Sequence, residues 1–430
     1  MSTVEQQVPI RTLVRRDTTL RRLLTMTLVD TLGRGAFFTL TSLYLITIVG
    51  IPAVAVGLGL TVAGAVGVAS SLAFGHLADW FSARRMLVWL HVVQGSALVA
   101  YVLVHDVATL IVTASVVALA QQGSGSVRSA AIGRAFPGSE RVRVRATMRT
   151  VTNIGIGVGT ALAAIPLAIG TGEAYRVTMV VSGLLFVSSA FLVTGLSSAR
   201  VDPAPADRTD TGTIVRREPA GRSPYRDVRF LAVAALTGVF GMQFGLFEVA
   251  VPLWVVQHTV APDVLLSPLL LVNTVCVVLL QVRMSRGTDT VAGAARVMRH
   301  AGWVMALACG LWAAAGWVRG DEWVPAAIAT AVLVAAAIAH SLAEITSSAA
   351  GWALSFELAP ADRIGAYQGV YGTGYAVAAM VAPAVVTLTA IDLGTVGWAI
   401  LAVVFLMAAG GVAAIAKRIA VEQTTTNRQG

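Results

Sequence analysis

The stretch Gly75-His-Leu-Ala-Asp-Trp-Phe-Ser-Ala-Arg-Arg85 sets a His, an Asp and two Arg between two long apolar runs. Neither residues 52–74 before it nor residues 86–104 after it contain an Asp, Glu, Lys or Arg. About 20 apolar residues, wound as a helix, are enough to cross roughly 30 Å of hydrocarbon. The charged stretch therefore reads as the loop between two membrane spans. The whole chain agrees. Of its 430 residues 56% are hydrophobic and only 12% charged, against about 25% charged in soluble domains. Too little polar surface is available to cover such a chain in water. The apolar runs lack the ten-residue alternation of a membrane β-barrel, so the expected class is an all-α membrane protein.

Hydropathy predicts twelve transmembrane helices, at roughly 22–48, 52–74, 86–104, 107–131, 146–169, 175–196, 229–257, 264–283, 296–318, 323–347, 365–389 and 394–416. The longest polar stretch, 197–228, is rich in Pro, Asp and Arg and reads as a linker. It divides the chain into a six-helix bundle over 1–196 and a second over 229–430. RRDTTLRRLL (15–24) and YRDVRFLAVA (225–234) lead into the first span of each half, a faint internal repeat.

Basic residues orient membrane helices. With the N-terminus inside, 27 of the 31 Lys and Arg fall on the inner side, against 13 of the 22 acids. Counting arginines at the inner ends of spans with that side, Arg34 and Arg128 are left within spans, and Arg176 and Arg319 outside. This places both termini in the cytoplasm and explains the net charge of +9 as topology and attraction to anionic lipid. Nucleic acid is not called for. Thirty Arg to one Lys fits a GC-rich bacterial genome, and the expected location is a bacterial cytoplasmic membrane, multi-pass. The first run is a full span, not a short leader core, so no signal peptide is expected. Cys276 and Cys309 both sit in apolar runs, so neither a disulfide framework nor a metal cluster is expected. No G-x-x-x-x-G-K-[ST] loop occurs, so ATP does not drive the protein. No cofactor and no enzyme activity are expected.

Gly75, Leu77, Ala78, Asp79, Arg84 and Arg85 stand where the major facilitator superfamily carries G-x-L-A-D-x-x-x-R-R between its second and third spans. With the twelve spans and the central linker, the chain resembles that superfamily throughout, most closely its drug:proton antiporters. The resemblance implies a gate at Gly75, Asp79, Arg84 and Arg85, whose links form while the cytoplasmic side is closed. Trp80-Phe81-Ser82-Ala83 departs from the usual Arg-x-Gly of that loop. Ala120-Gln-Gln-Gly-Ser-Gly125 resembles part of a second family stretch, but Leu119 stands near the point where relatives often carry an Arg, a role open to Arg128. The glycines after Asn153 lack the Gly-Pro pair associated with exporters.

Ionisable residues inside the bilayer are costly and mark function by default. Asp30 and Arg34 share a face at i,i+4, as a structural pair or as a carboxylate that trades its proton against Arg34 or a cationic substrate. His340 and Glu344 repeat the spacing, as a proton relay or as groups reaching for the headgroups. Arg128 and Glu344 lie at equal depth on spans 4 and 10, which predicts that they meet across the two halves when the cytoplasmic side closes. Glu248 is read as a vestibule or interfacial acid. Tyr367, Tyr371 and Tyr375 form an aromatic stripe that suits either an amphipathic substrate or helix packing. Gln121, Gln243 and Asn273 are uncharged candidates for the cavity.

The reading that follows is a monomeric secondary active transporter working by alternating access. Its partners are protons, a small-molecule substrate and the lipid bilayer. Proton-coupled export of small amphipathic or hydrophobic compounds is the first expectation, because few deep charges are visible and Tyr, Phe and Gln line the spans. The alternative is uptake of a small metabolite by proton symport.

Overall fold

The computed structural model of the chain describes residues 10–203, 207–208, 214–215, 221–320 and 322–429. The expected linker falls partly outside these residues. Twelve long helices are found among the described residues. The first six are α1 (Thr18–Leu43), α2 (Ala53–Leu77), α3 (Ala83–Ala100), α4 (Val107–Ala135), α5 (Glu140–Leu162) and α6 (Gly172–Thr194). The last six are α7 (Val228–Gly241, extended through further turns to His258), α8 (Leu266–Met284), α9 (Val291–Ala315), α10 (Trp323–Glu357), α11 (Ile364–Val386) and α12 (Gly394–Gln429). Apart from a two-residue antiparallel pairing of Asp207–Arg208 with Ile214–Val215, the fold is all helical.

Ten of these helices are long and apolar enough to cross a membrane. The exceptions are α1 and α9, which carry Arg21, Arg22, Asp30 and Arg34, and Arg296, Arg299 and His300. Large apolar side chains face outward around the bundle, with Trp89 69% and Trp323 80% exposed. A belt of that kind is stable only against lipid.

Local chemistry sets the helix ends. Ser82 caps α3 by accepting from the Arg85 amide at 3.2 Å, and Asp106 forms a capping box with Thr109 before α4. Asp227 and Thr290 cap α7 and α9. Helix α7 passes through a π-helical turn at Leu246–Ala250 just before Pro252. Proline supplies no N–H to the turn before it, and the hydrogen-bond register slips there.

Helices α1–α6 pack on one another, as do α7–α12, and the halves meet through α2 with α11, α4 with α11, α5 with α8 and α5 with α10. Offsetting by six helices exchanges the α2–α11 contact with the α5–α8 contact, so the interface has a twofold character. The short helix Ser198–Val201, in the expected linker, belongs to the first half. Val201 is fully buried there, and Arg200 pairs with Asp17 at 2.8 Å.

The closest approach between halves is at Gly75. A Cβ there would lie 2.5 Å from the Gly369 Cα, and one on Gly369 would lie 2.7 Å from the Ser71 carbonyl oxygen. Only glycine on both helices admits this contact. Gly75→Val is therefore expected to weaken the closed interface by about 1–3 kcal/mol through overpacking. A cysteine placed on the α11 side of that contact should become reactive to a thiol reagent from the Asp79 face, with the thermal midpoint otherwise little changed.

Candidate functional site

At the Asp79 end of the bundle, α11 begins at Ile364 with no cap from its own sequence, since Arg363 makes no side-chain capping bond. Asp79, from the other half, fills that position. Its two carboxylate oxygens accept the Gly365 amide at 2.6 Å and the Ala366 amide at 2.7 Å. These are amides that the first turn of a helix leaves without partners, at the end where its dipole favours an anion. Arg134 donates to the same carboxylate at 2.7 Å and to the Ala78 carbonyl at 2.9 Å. Burial pushes the Asp79 carboxyl above the ordinary range, while the Ala366 amide, the Arg134 guanidinium and the Gly365 amide pull it back.

Of the residues put forward as a gate, Gly75 and Asp79 contact the other half, whereas Arg84 and Arg85 bond within their own. The Arg84 amide donates to Asp202 at 3.0 Å and the Arg85 amide to Ser82, both within the first half. They sit at the start of α3, where the helix turns them away from α11. The arginine that serves Asp79 is Arg134.

Between the halves lies a cavity of about 430 Å³, within the roughly 300–1,000 Å³ of small-molecule sites. Helix α4 supplies Gln122, Gly125, Ser126, Arg128 and Ser129. Helix α5 supplies Arg145 and Arg149, and the second half supplies Phe244, Ser348, Trp352, Tyr371 and Tyr375. No carboxylate lines the cavity among the described residues.

Arg145 and Arg149 were not singled out as site residues, because a fifth span expected to begin at 146 leaves Arg145 outside it and puts Arg149 in its first turn, among the inner-side charges. The helix in fact starts at Glu140. Arg141, Arg145 and Arg149 then recur every four residues on one face, with Val142, Val144, Ala146 and Met148 buried on the other. That spacing of four was the available signal. Arg145 donates to the Gln368 carbonyl oxygen at 2.9 Å and lies over the Trp352, Phe356 and Tyr371 rings at 5.4 to 6.0 Å. No carboxylate among the described residues pairs with it.

Arg149 crosses between the halves. It pairs with Glu344, donates to the Ser348 hydroxyl at 2.7 Å and stacks over Phe244 at 5.1 Å. Asn273 donates to the other Glu344 oxygen at 3.0 Å. The predicted cross-half bridge is therefore real on the Glu344 side, but its arginine is Arg149 and not Arg128. Equal depth along two helices does not fix which residues face each other. Arg128 instead turns into its own half, 4.0 Å from Asp30.

Asp30 and Arg34 do not pair as expected. Asp30 is buried and held by His91, whose Nε2 lies 2.9 Å from a carboxylate oxygen. The other ring nitrogen of His91 lies 2.7 Å from the Leu87 carbonyl. Both ring nitrogens thus face acceptors, and the Nδ1 position must carry a hydrogen. A further proton is then required between Nε2 and Asp30, whichever group owns it. The pair is built to hold one proton beside Arg128. His91 is the second residue missed from sequence, because a single His in an apolar run carries no spacing signal.

Of the remaining candidates, only Tyr371 and Tyr375 line the cavity. Gln121 is one position out of phase, since Gln122 is on the lining face of α4. Gln243 is buried and donates to Ser347 at 3.1 Å. Asn273 orients Glu344, and Glu248 is exposed on the π-helical turn. The tyrosine stripe divides: Tyr371 and Tyr375 reach the cavity, whereas Tyr367 bonds Asp227 at 3.0 Å behind the closure. His340 does not bond Glu344; its ring meets Phe247 edge-on at 5.1 Å. With Arg34 close by, deep charge is more abundant than the sequence reading allowed.

The family model of the Major Facilitator Superfamily matches residues 23–383. No curated protein matches the sequence. Among solved structures, the human organic anion transporter MFSD10 (TETRAN) aligns with a TM-score of 0.69 at 13% identity, over 94% of this chain and 100% of that one. A bacterial homologue of the iron transporter ferroportin in an outward-facing state aligns with a TM-score of 0.70 at 12% identity, over 93% and 98%. At these identities the likeness shows the shared fold.

Replacing Asp79 by alanine leaves two helix-end amides and Arg134 without their acceptor. Asp79→Ala is expected to cost the closed state about 2 kcal/mol, a roughly thirtyfold shift towards opening at that face. Cysteine labelling from the Asp79 face measures it, with Asp79→Glu as the charge-retaining control.

Proposed function

Because the chain belongs to the Major Facilitator Superfamily, whose members are transporters, we propose that it is a proton-coupled secondary transporter of small amphipathic anions. The observation that carries this reading is the set of guanidinium groups of Arg128, Arg145 and Arg149 around a cavity with no carboxylate in its lining among the described residues. Planar guanidinium forks recognise carboxylate, sulfonate and phosphate oxygens. The rings of Phe244, Trp352, Tyr371 and Tyr375 beside them suit an apolar or aromatic body. The hydrophobic cargo expected from sequence is narrowed by those arginines to one with an anionic head.

All twelve helices cross the bilayer in this reading, with both termini in the cytoplasm of a bacterial cell. The charges of α1 and α9 allow this, because Arg21, Arg22, Arg296 and Arg299 fall at one end and Asp30 faces the bundle. The Asp79 face is then cytoplasmic, and the hydrogen bonds from Ser71, Asp79, Arg145 and Arg149 to the other half close it. Release of those links and closure of the opposite end provide alternating access. One copy contains the whole cavity, so the transporter acts as a monomer.

The proton-holding pair Asp30–His91 couples flux to the gradient through Arg128, which lies both in the cavity lining and beside Asp30. Asp30→Asn should abolish proton-driven accumulation while exchange of labelled substrate across the membrane persists.

The substrate class is tested by thermal shift and counterflow with phenylacetate, benzenesulfonate and phenyl phosphate, against benzylamine and benzyl alcohol. Anions alone should stabilise the protein, and Arg145→Ala should weaken their binding about 10- to 100-fold, as for loss of one charge-assisted hydrogen bond. Stabilisation by benzylamine and not by the anions would overturn the reading. Export, put first on sequence, and uptake by symport are separated by vesicle orientation. Inverted vesicles accumulate an exported anion, right-side-out vesicles an imported one.

A further inference from the structure

The Arg149–Glu344 bridge joins the two halves at the edge of the cavity, and Arg149 is also one of the groups offered to the substrate. An anion bound at Arg149 and the Glu344 carboxylate would compete for the same guanidinium. We propose that the transported anion replaces Glu344 on Arg149, that Glu344 takes up a proton as it lets go, and that this exchange unlatches the closed face. The proposal rests on the anion reading above.

Charge bookkeeping inside the membrane drives the exchange. A carboxylate stripped of its arginine in a low-dielectric site is strongly disfavoured, and a buried ion pair broken on one side leaves an uncompensated charge. Glu344 has few other means of relief. Facing it are Asn273 on α8, which supplies one N–H at 3.0 Å, and Arg149 on α5. Glu248 on α7 lies near enough to add like-charge repulsion, and Cys276 on α8 and Tyr375 on α11 sit within its field without neutralising it. His340, one turn earlier on α10, makes no bond to it. A proton from the bulk solution, relayed through water entering the cavity, converts the Glu344 carboxylate to a carboxylic acid, which donates or accepts a hydrogen bond without charge. One anion arrives with one proton, so the net charge of the site is unchanged.

The mechanical consequence follows from where the bridge sits. Arg149 also bonds Ser348 across the halves at 2.7 Å, one turn from Glu344 on the same face of α10. With Arg149 committed to substrate, α5 loses its ion pair and its Ser348 bond to α10, and the closed face keeps the α2–α11, α4–α11 and α5–α8 packing, the Arg145–Gln368 bond and the contacts of Arg145 with the Trp352 and Phe356 rings. Loss of the Glu344 charge by protonation thus releases the latch, and an anion on Arg149 neutralises the guanidinium that protonation alone leaves without its partner, so proton and substrate together lower the barrier to opening furthest. Such a device makes the anion and proton travel in the same direction, which is symport. It is a proton site distinct from Asp30–His91.

The first experiment needs no ligand. Spin labels on the Asp79 face of α5 and α10, in protein reconstituted in nanodiscs, report the distance across the closure between pH 8 and pH 5. The wild type is expected to open on acidification, and Glu344→Gln to be open throughout with the pH response lost. The double exchange Arg149→Glu with Glu344→Arg should restore closure, which separates a latch from damage to folding. A Glu344→Gln protein as closed as the wild type, or one retaining the pH response, would overturn the latch. The second experiment measures proton uptake on adding phenylacetate in weak buffer. Uptake should be present in the wild type and in Asp30→Asn and absent in Glu344→Gln. Uptake that survives in Glu344→Gln would overturn the proton assignment. If phenylacetate and the other anions bind neither protein, the anion reading fails and the distance measurement still decides the latch.

Discussion

Helix α11 begins without a cap of its own, and the carboxylate that supplies one belongs to the other half of the molecule. Much of the closed arrangement depends on that single borrowed interaction. The Asp79 carboxylate satisfies two amides of α11 and is in turn held by Arg134. The interaction exists only when the halves are in contact, so it stores the preference for closure in ordinary helix-end chemistry. The glycine contact beneath it serves the same end. Gly75 and Gly369 let the backbones approach closely enough for a short aspartate side chain to reach across.

The interior of the closed cavity is organised by a shortage of negative charge. Arg34, Arg128, Arg145 and Arg149 are set against two buried carboxylates, Asp30 and Glu344, and both carboxylates already have cationic partners. Cations in a membrane protein are tolerated where they face a bundle interior and find partners or aromatic faces. Arg145 rests on aromatic rings and a glutamine oxygen, a partnership that leaves its charge available. It is this available charge on which the proposal of an anionic substrate rests.

The two halves use these charges differently. In the first half, Asp30, His91 and Arg128 make a compact buried cluster that reaches the cavity through Arg128. Between the halves, Arg149 and Glu344 make a bridge that must be broken whenever the halves separate at the Asp79 face. The two clusters are thus served by arginines on neighbouring helices, Arg128 on α4 and Arg149 on α5, both of which line the cavity.

The sequence by itself determined the all-helical membrane class and the family, and it singled out Gly75 and Asp79, which the structure brings against the other half. Apolar run length is a local property, and a glycine and an acid in a short loop between two spans leave few other uses. It also carried Asp30, Glu344, Tyr371 and Tyr375 as candidates, because isolated charges and a four-residue stripe stand out in an apolar background. The tertiary structure decided which charges meet. Arg134 and not Arg84 serves Asp79, Arg149 and not Arg128 serves Glu344, and His91 and not Arg34 holds Asp30. Each of these pairs joins residues between 55 and 195 positions apart. Spacing along one helix fixes which face a side chain is on, but not which helix that face will meet. That choice is made by the crossing of helices packed through small residues, and no single segment contains the information.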